Sequence, residues 1–178
     1  MASFREWARS LPEGLSLRDE TTADREFLAD LYASTRAEEL RPVAWTETQK
    51  RTFLRGQFEL QWAHYRRHYP RAEWLVIVRG GAAIGRLYVH TGPAEVRLMD
   101  LALLAEQRRQ GLGAGAMHSL LDYADTLRLP VGLHVEPFNP ALRLYERLGF
   151  RTRETRGIYL FLERAPSLAE APGAQSFG

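Results

Sequence analysis

The feature that most limits the fold of this chain is a mostly apolar strand followed by a glycine-rich loop and an apolar-periodic helix. Residues 96–104 are apolar on both alternations, which is typical of a strand buried on both faces in the middle of a sheet. Strict alternation predicts that one face holds Val96, Leu98, Ala102 and Leu104, and that the other holds Met99, Leu101 and Leu103. The helix is predicted from Leu112 to Leu127.

The loop between this strand and this helix predicts a site for a phosphate-bearing ligand. Backbone amides at the start of a helix have no carbonyl partner, and with the helix dipole they favour an anion. Glycines let the ligand approach the backbone, and arginines add positive charge beside it. The residues concerned are Arg108, Arg109, Gln110, Gly111, Leu112, Gly113 and Ala114.

Three other interpretations of the loop are weighed against the residues. A P-loop requires a lysine followed by serine or threonine, and neither follows here. A dinucleotide fingerprint is approached by Gly111, Gly113 and Ala116, with Glu136 as the ribose-binding acid, but residues 105–110 separate the strand from the first glycine. The third is a purely structural helix entry, in which the glycines serve packing and the arginines face water.

Composition narrows the class of protein. No apolar run reaches the roughly 20 residues needed to span a bilayer, and Arg5, Glu6 and Arg9 interrupt any signal-peptide core. The net charge of +2 without a basic run argues against nucleic acid. The absence of cysteine excludes a disulfide, a thiolate nucleophile and cysteine-ligated zinc. We therefore expect a cytoplasmic protein that binds neither nucleic acid nor membrane.

Hydrophobic periodicity predicts a three-layer α/β domain with a mixed sheet, in the order β-α-α-β-β-β-α-β-α-β-β. The domain is predicted over residues 15–164, after an N-terminal extension of residues 1–14. Residues 165–178 are rich in Ala, Pro, Gly and Ser and are predicted to be a disordered tail. A short helix is expected from Asn139 to Leu148, ending at Gly149.

Two motifs resemble those of the GNAT superfamily of N-acetyltransferases. Arg108, Gly111 and Gly113 match the spacing of its coenzyme A signature, between the central strand and the helix. Downstream, Asn139, Tyr145 and the pair Gly149-Phe150 match its second hallmark. The resemblance implies the acyl-CoA N-acyltransferase fold, acetyl-CoA as cosubstrate without a metal, and direct acetyl transfer to a primary amine in a ternary complex.

The resemblance also implies where acetyl-CoA binds. The backbone of residues 108–114 would hold the pyrophosphate, and Asn139 would contact the pantetheine arm as well as cap its helix. The arm would pair like an added strand with the backbone of Leu101, Ala102 and Leu103. This arrangement requires the central strand to splay away from residues 131–136, which also leaves an amide to polarise the thioester carbonyl.

Tyr145 is, by the same resemblance, the general acid that protonates the departing thiolate; packing on the sheet is its structural alternative. An amine needs a group that accepts its proton, and three candidate bases follow from the sequence. They are Asp100, a carboxylate in a mostly apolar strand, His134, and Glu136 at the end of a strand. Each has a structural alternative as the partner of a neighbouring polar group.

Acceptor specificity in this superfamily comes from the first two helices, their connection and the last hairpin. Candidate acceptor-binding residues are Glu38, Glu39, Trp45, Phe58, Trp62, Tyr65 and Tyr159. Packing of the helix on the sheet is the alternative for the aromatic residues, and a solvated helix face is the interpretation of the pair His64 and His68. The acceptor class, a longer acyl group, a hydroxyl acceptor and a homodimer stay open, as does a non-catalytic coenzyme A-binding sensor or scaffold.

Overall fold

A seven-stranded mixed sheet organises the part of the chain that the structure describes. The computed structural model describes residues 2–8, 11 and 14–168, so that most of the tail predicted to be disordered, residues 169–178, lies outside the described part. The strands are β1 (Leu15–Asp19), β2 (Glu73–Arg79), β3 (Ala82–Thr91), β4 (Val96–Leu103), β5 (Val131–Val135), β6 (Arg151–Arg156) and β7 (Tyr159–Arg164). The α-helices of the described residues are α1 (Phe4–Trp7), α2 (Arg25–Leu40), α3 (Glu47–His68), α4 (Leu112–Leu127) and α5 (Leu142–Arg147).

The strand order in the sheet is β1-β2-β3-β4-β5-β7-β6. All neighbours are antiparallel except β4 and β5, which are parallel. The predicted α/β class and element order are confirmed, and β4 occupies the middle of the sheet as its apolar sequence predicts. Helix α1, which precedes β1, is an addition to the predicted order; its Phe4 is fully buried in the same core as α4.

Local capping chemistry sets where the helices begin. The Thr46 hydroxyl accepts from the Gln49 amide at 3.2 Å and the Gln49 side chain accepts from the Thr46 amide at 2.9 Å, which closes a capping box before α3. Helix α5 begins three residues later than Asn139, where the sequence placed its start. The reason is that the Asn139 Oδ1 accepts from the Ala141 amide at 2.9 Å, so that Asn139 caps the turn before the helix.

Helices pack on both faces of the sheet, and each face has its own set of contacts. Helix α4 packs on one face through Met117 and Leu120, against a core that includes Leu75 and Leu87. On the other face, Tyr65 of α3 packs edge-on against Tyr88 of β3, and α2 and α3 share a second apolar cluster. The result is a middle layer of sheet between helices, as predicted.

A β-bulge at Met99 corrects the predicted alternation along β4. Tyr88 of β3 opposes Asp100 while the next residue, Val89, opposes Leu98, so Met99 is an extra residue without a partner on β3. Leu98 and Leu101 therefore both contact the core on the α4 face, although strict alternation placed them on opposite faces. Asp100 consequently lies on the face that carries Tyr88 and α3.

The ladder between β4 and β5 is short. Only two pairs join the strands, Val96 with Val131 and Arg97 with Gly132. Beyond these pairs the strands diverge, while β5 stays paired with β7 as far as Val135. The splay that the resemblance requires is therefore present, and it leaves the edge of β4 from Leu98 onward unpaired on the β5 side.

Candidate active site

The glycine-rich loop enters α4 through two residues in the left-handed region. Arg109 has φ of 60° and Gly111, the N-cap of α4, has φ of 77°. The first helical hydrogen bond in α4 runs from the Gly115 amide to the Gly111 carbonyl at 3.0 Å, so the amides of residues 112–114 precede the ladder. A Cβ on Gly113 would meet only Leu103 Cδ1 at 3.9 Å, which leaves this face of the turn open. The backbone here is suited to an anionic group.

Arg79 braces this loop, a role that the sequence did not reveal. Its Nη1 donates to the Gln107 and Gln110 side chains, each at 3.0 Å. Gln110 in turn donates through Nε2 to the Glu106 carbonyl at 3.0 Å. An arginine at the end of an apolar strand is a weak signal, because such residues usually lie in solvent.

Arg108 lies back along β4 rather than out over the loop. Its Nε donates to the Leu103 carbonyl at 2.9 Å, and its Nη2 reaches the Ser34 hydroxyl of α2 at 3.5 Å. The Leu103 carbonyl, which the resemblance assigns to the pantetheine arm, already has a donor here. Arg108 therefore connects the end of β4, at the open side of the splay, to α2.

Tyr145 lies in α5 beside the splay and packs against the core. Its ring contacts that of Phe150 with centroids 5.7 Å apart. Burial, together with the charges of the Asp100 and Glu136 carboxylates, raises the pKa of Tyr145 to about 12. Tyr145 is therefore a neutral phenol over the physiological range, and both carboxylates lie near enough for their charges to act on it.

Asp100 pairs with a buried arginine. Arg86 of β3, with 3% of its side chain exposed, donates through Nη2 to the Asp100 carboxylate and to Gln61 Oε1 of α3, the latter at 3.0 Å. Asp100 itself is 20% exposed, so part of its carboxylate faces solvent. Burial and the charge of Asp100 together raise the pKa of Tyr65, whose hydroxyl donates to the carbonyl of bulge residue Met99 at 3.4 Å.

Glu136 lies immediately after β5, across the splay from β4. Its Oε2 accepts from Asn139 Nδ2 at 3.2 Å, and its Oε1 lies 3.7 Å from Arg36 Nη1 of α2. The same Arg36 Nη1 pairs with Glu39 at 3.1 Å. The Glu136 carboxylate thus accepts from a neutral amide, and its ion contact with Arg36 is longer than the ion pair between Asp100 and Arg86.

His134 has both ring nitrogens directed at arginines. Nδ1 lies 3.3 Å from Arg97 Nη1, and Nε2 lies 3.2 Å from Arg156 Nη1. Burial lowers the pKa of His134 and the two guanidinium groups lower it further, opposed by Glu95 and Glu154. Arg97 was missed in the sequence, although a charge within an apolar strand is the same signal that singled out Asp100.

The structure brings together only part of the predicted acceptor set. Tyr65 lies near Asp100, whose charge helps to raise the pKa of the Tyr65 hydroxyl, and Tyr159 also lies near Tyr65. Phe58 is fully buried between α2 and α3, and Trp62 donates to Glu20 at the end of the sheet away from the loop. Of the remaining candidates, Glu38 and Glu39 lie on α2, where Glu38 pairs with Arg41 and Glu39 with Arg36. Trp45 lies between α2 and α3, and its ring contacts that of Phe53 with centroids 5.2 Å apart.

The described residues also bear on other classes of site. Among residues 2–8, 11 and 14–168, no group of three or more His, Cys, Asp or Glu side chains is arranged to hold a metal ion. His64 and His68 stack with centroids 4.2 Å apart. Within the same part of the chain, no helix has the length and apolar character that crossing a membrane demands.

Comparison with known proteins gives a family match and several structural likenesses. The acetyltransferase (GNAT) family model matches residues 26–150, whereas no curated protein sequence matches the chain. The PaiA N-acetyltransferase of Thermoplasma acidophilum, solved in complex with coenzyme A, is 16% identical with a TM-score of 0.64, over 85% of this chain and 98% of that one.

Two further solved structures are similar to the same extent. An acetyltransferase from Thermus thermophilus is 18% identical with a TM-score of 0.63, over 88% of this chain and 99% of its own. The ribosomal-protein-S18-alanine N-acetyltransferase from Escherichia coli is 19% identical with a TM-score of 0.59, over 92% and 99%. At such identities the likeness establishes the fold and leaves the acceptor open.

Proposed function

Because this chain belongs to the acetyltransferase (GNAT) family, we propose that it transfers an acetyl group from acetyl-CoA to a primary amine by direct attack in a ternary complex. The observation that carries the proposal is the splay between β4 and β5, which opens beyond the pair Arg97 and Gly132. It lies between the glycine-rich loop and Tyr145, the two features that the transfer requires. The sequence contains no cysteine that could carry the acetyl group as a thioester.

The loop and the open edge of β4 fit coenzyme A. The free amides of residues 112–114 and the left-handed turn at Gly111 suit a diphosphate, and the unpaired strand edge suits an extended amide-bearing arm. Acetyl-CoA supplies the activated thioester. The chain's own groups hold it and leave backbone amides near the Met99 bulge to bind the thioester oxygen.

Tyr145 is proposed as the hydrogen-bond donor to the departing sulfur. A phenol of pKa about 12 is fully protonated at neutral pH, so the donor is present in every molecule. An ordinary thiol has a pKa of about 8.5, so full proton transfer from this phenol would be uphill. The general acid of the sequence prediction therefore acts chiefly by a hydrogen bond that strengthens as negative charge develops on sulfur.

Glu136 is the base that the contacts favour. The Asp100 carboxylate is already engaged in an ion pair with the buried Arg86 guanidinium. Glu136 has a neutral amide partner and a more distant arginine. His134 offers each ring nitrogen to a guanidinium group. We assign Glu136 to take the proton of the amine, directly or through water, and Asp100 to attract the amine as an ammonium ion.

A thiol-release assay tests the proposal. The full chain is mixed with acetyl-CoA and a panel of primary amines, and free thiol is followed while mass spectrometry identifies the product. We expect steady thiol release that depends on one class of amine and a product heavier by one acetyl group. Coenzyme A binding by calorimetry, without turnover for any amine or alcohol, would instead favour the non-catalytic sensor. An acylated hydroxyl or a preference for longer acyl-CoA would correct the reaction type.

A further inference from the structure

A cluster of two arginines and a histidine lies on the face of the sheet opposite α4, beside the closed end of the splay. Arg97 belongs to the last pair between β4 and β5, and His134 lies two residues beyond that pair on β5. Arg156, at the end of β6, completes the group. We refer to Arg97, His134 and Arg156 as the arginine–histidine cluster.

The cluster shares a face with Asp100. Arg97 opposes His90 on β3, and His90 packs edge-on against Tyr69 just after α3 with centroids 5.4 Å apart. Asp100 opposes Tyr88, two residues before His90 on the same strand and therefore on the same face. The carboxylate of Asp100 and the arginine–histidine cluster therefore both lie on the face of the sheet opposite α4.

The hydrogen bonding of the cluster is incomplete without an acceptor. A neutral imidazole has one lone pair and one N–H, so it accepts from only one of the two guanidinium groups that face it at 3.3 and 3.2 Å. At the other ring nitrogen, the imidazole N–H faces a guanidinium N–H, and both groups are hydrogen-bond donors. In addition, Arg97 Nε is buried and has no partner among the described residues.

One further donor of each arginine is already engaged by a carboxylate. Arg97 Nη2 donates to Glu95 at 2.5 Å, and Arg156 Nε donates to Glu154. Both guanidinium groups also lie over the Phe161 ring, at 5.1 and 4.0 Å from its centroid, which is a favourable cation–π contact. The Nη1 donors of both arginines converge on His134.

We propose that the acceptor is an amine that also bears a carboxylate, and that the arginine–histidine cluster binds this carboxylate while the amine lies toward Asp100. Two carboxylate oxygens take one hydrogen bond from each arginine and one from the imidazole N–H, which removes the donor–donor contact. Free amino acids and short amino carboxylates fit this pairing of charges. Polyamines and aminoglycosides lack the anion. The inference rests on the proposed function, whose amine it specifies.

Kinetics with matched acceptors test the inference. Each free amino acid is compared with its carboxamide, which keeps the amine and loses the negative charge. We expect kcat/KM for the acids that react to exceed that of their amides by at least about tenfold. The variant Arg156→Gln should raise KM for the acids by a similar factor and leave KM for the amides unchanged.

Arg153→Gln is the matched control. Arg153 lies on the same strand as Arg156, is similarly exposed, and pairs with Glu163 instead of contacting His134. It should leave both acceptors unaffected. Amides that react as well as acids, or an equal effect of Arg156→Gln on both, would overturn the inference while leaving N-acetylation intact.

Imidazole NMR separates the inference from the proposed function. The protein, saturated with coenzyme A, is titrated with a mixture of free amino acids, and in a second sample with a mixture of their amides. The acids should raise the pKa of His134 in the wild type and not in Arg156→Gln, and the amides should leave it unchanged. If no amine is acetylated the proposed function fails, yet this titration still decides whether the cluster binds a carboxylate; no response of His134 to the acids refutes it.

Discussion

The two halves of the sheet are built differently. From β1 to β4 the strands form antiparallel ladders that extend along most of each strand, with helices on both faces and a buried arginine at the centre. From β5 to β6 the sheet is attached through two residue pairs, and every residue of β6 is exposed. We call β1 to β4 the closed half of the sheet and β5, β7 and β6 the open half. The closed half is extensively paired, whereas the short ladder to the open half leaves the backbone of β4 available to a ligand.

This difference explains why the candidate site lies where it does. A fully paired strand has no backbone groups left for a ligand, whereas β4 loses one partner after Arg97 while it keeps the other on β3. The bulge at Met99 adds a local distortion at the same level. We expect the closed half to bear the stability and the open half the chemistry, and substitutions in each half test this division.

Gly85→Ala should give the largest loss of stability. A Cβ at Gly85 would lie 2.4 Å from the Ala102 carbonyl in the closed ladder, so backbone must shift, at a cost of about 3 kcal/mol. A Cβ at Gly132, at the start of the splay, would meet the flexible Glu95 Oε2 at 2.7 Å and the Phe161 ring at 3.0 Å, which are side chains and not backbone, and Gly132→Ala should cost about 1 kcal/mol. Urea unfolding measures both; equal losses would remove the mechanical distinction between the halves.

Tyr145→Phe should give the largest catalytic effect in the open half. The substitution removes the hydroxyl and keeps the ring against Phe150, so the fold is retained. We expect kcat to fall by about 100-fold, with little change in KM for acetyl-CoA. Steady-state kinetics check this, and an unchanged kcat would remove Tyr145 from the chemistry.

Gly113→Glu should weaken coenzyme A binding by about tenfold or more, because it adds a negative charge and fills the open face of the turn. Gly56→Glu is the control, since Gly56 lies in α3 and a Cβ added there would meet no atom within 4 Å. Calorimetry with coenzyme A measures both. Equal affinities for the two variants would argue against the loop as the phosphate site.

Asp24→Asn should give the smallest effect, about 1 kcal/mol of stability lost at neutral pH. Asp24 accepts two hydrogen bonds from Arg18 and one from the Thr21 amide, and the Arg18 contact lowers its pKa to about 2. Because the folded pKa lies below the unfolded value of about 3.9, its stabilisation is present above roughly pH 4 and is lost as the pH falls toward the folded pKa. Wild type and variant should converge over that interval in thermal unfolding; a constant gap would contradict this assignment.

Much of the fold could be predicted because its signals are local. Thr46 before α3 and Gly111 before α4 mark helix starts through capping and a left-handed turn, and the apolar run of β4 marks the middle of the sheet. The predicted start of α5 at Asn139 was three residues too early, because an asparagine side chain can cap a turn as well as a helix. The bulge at Met99 left no such signal, because it depends on the partner strand.

In the candidate site, too, the features with local signals could be predicted and those that join distant segments could not. The spacing of glycines in the loop and the position of Tyr145 follow from sequence, since both motifs are short and contiguous. The Arg86–Asp100 pair, the brace of Arg79 and the arginine–histidine cluster join residues from strands and helices far apart in the chain. Their pairings depend on register and on which face each strand residue takes.

The sequence by itself determined the element order from β1 onward, the central strand, the family motifs and the positive charge of the loop, because each depends on neighbouring residues. Only the tertiary structure decided where β4 and β5 part, which candidate carboxylate meets a buried arginine and which aromatic side chains are core. Those outcomes depend on contacts between distant segments, and a single residue of bulge is enough to reverse the face of every side chain that follows.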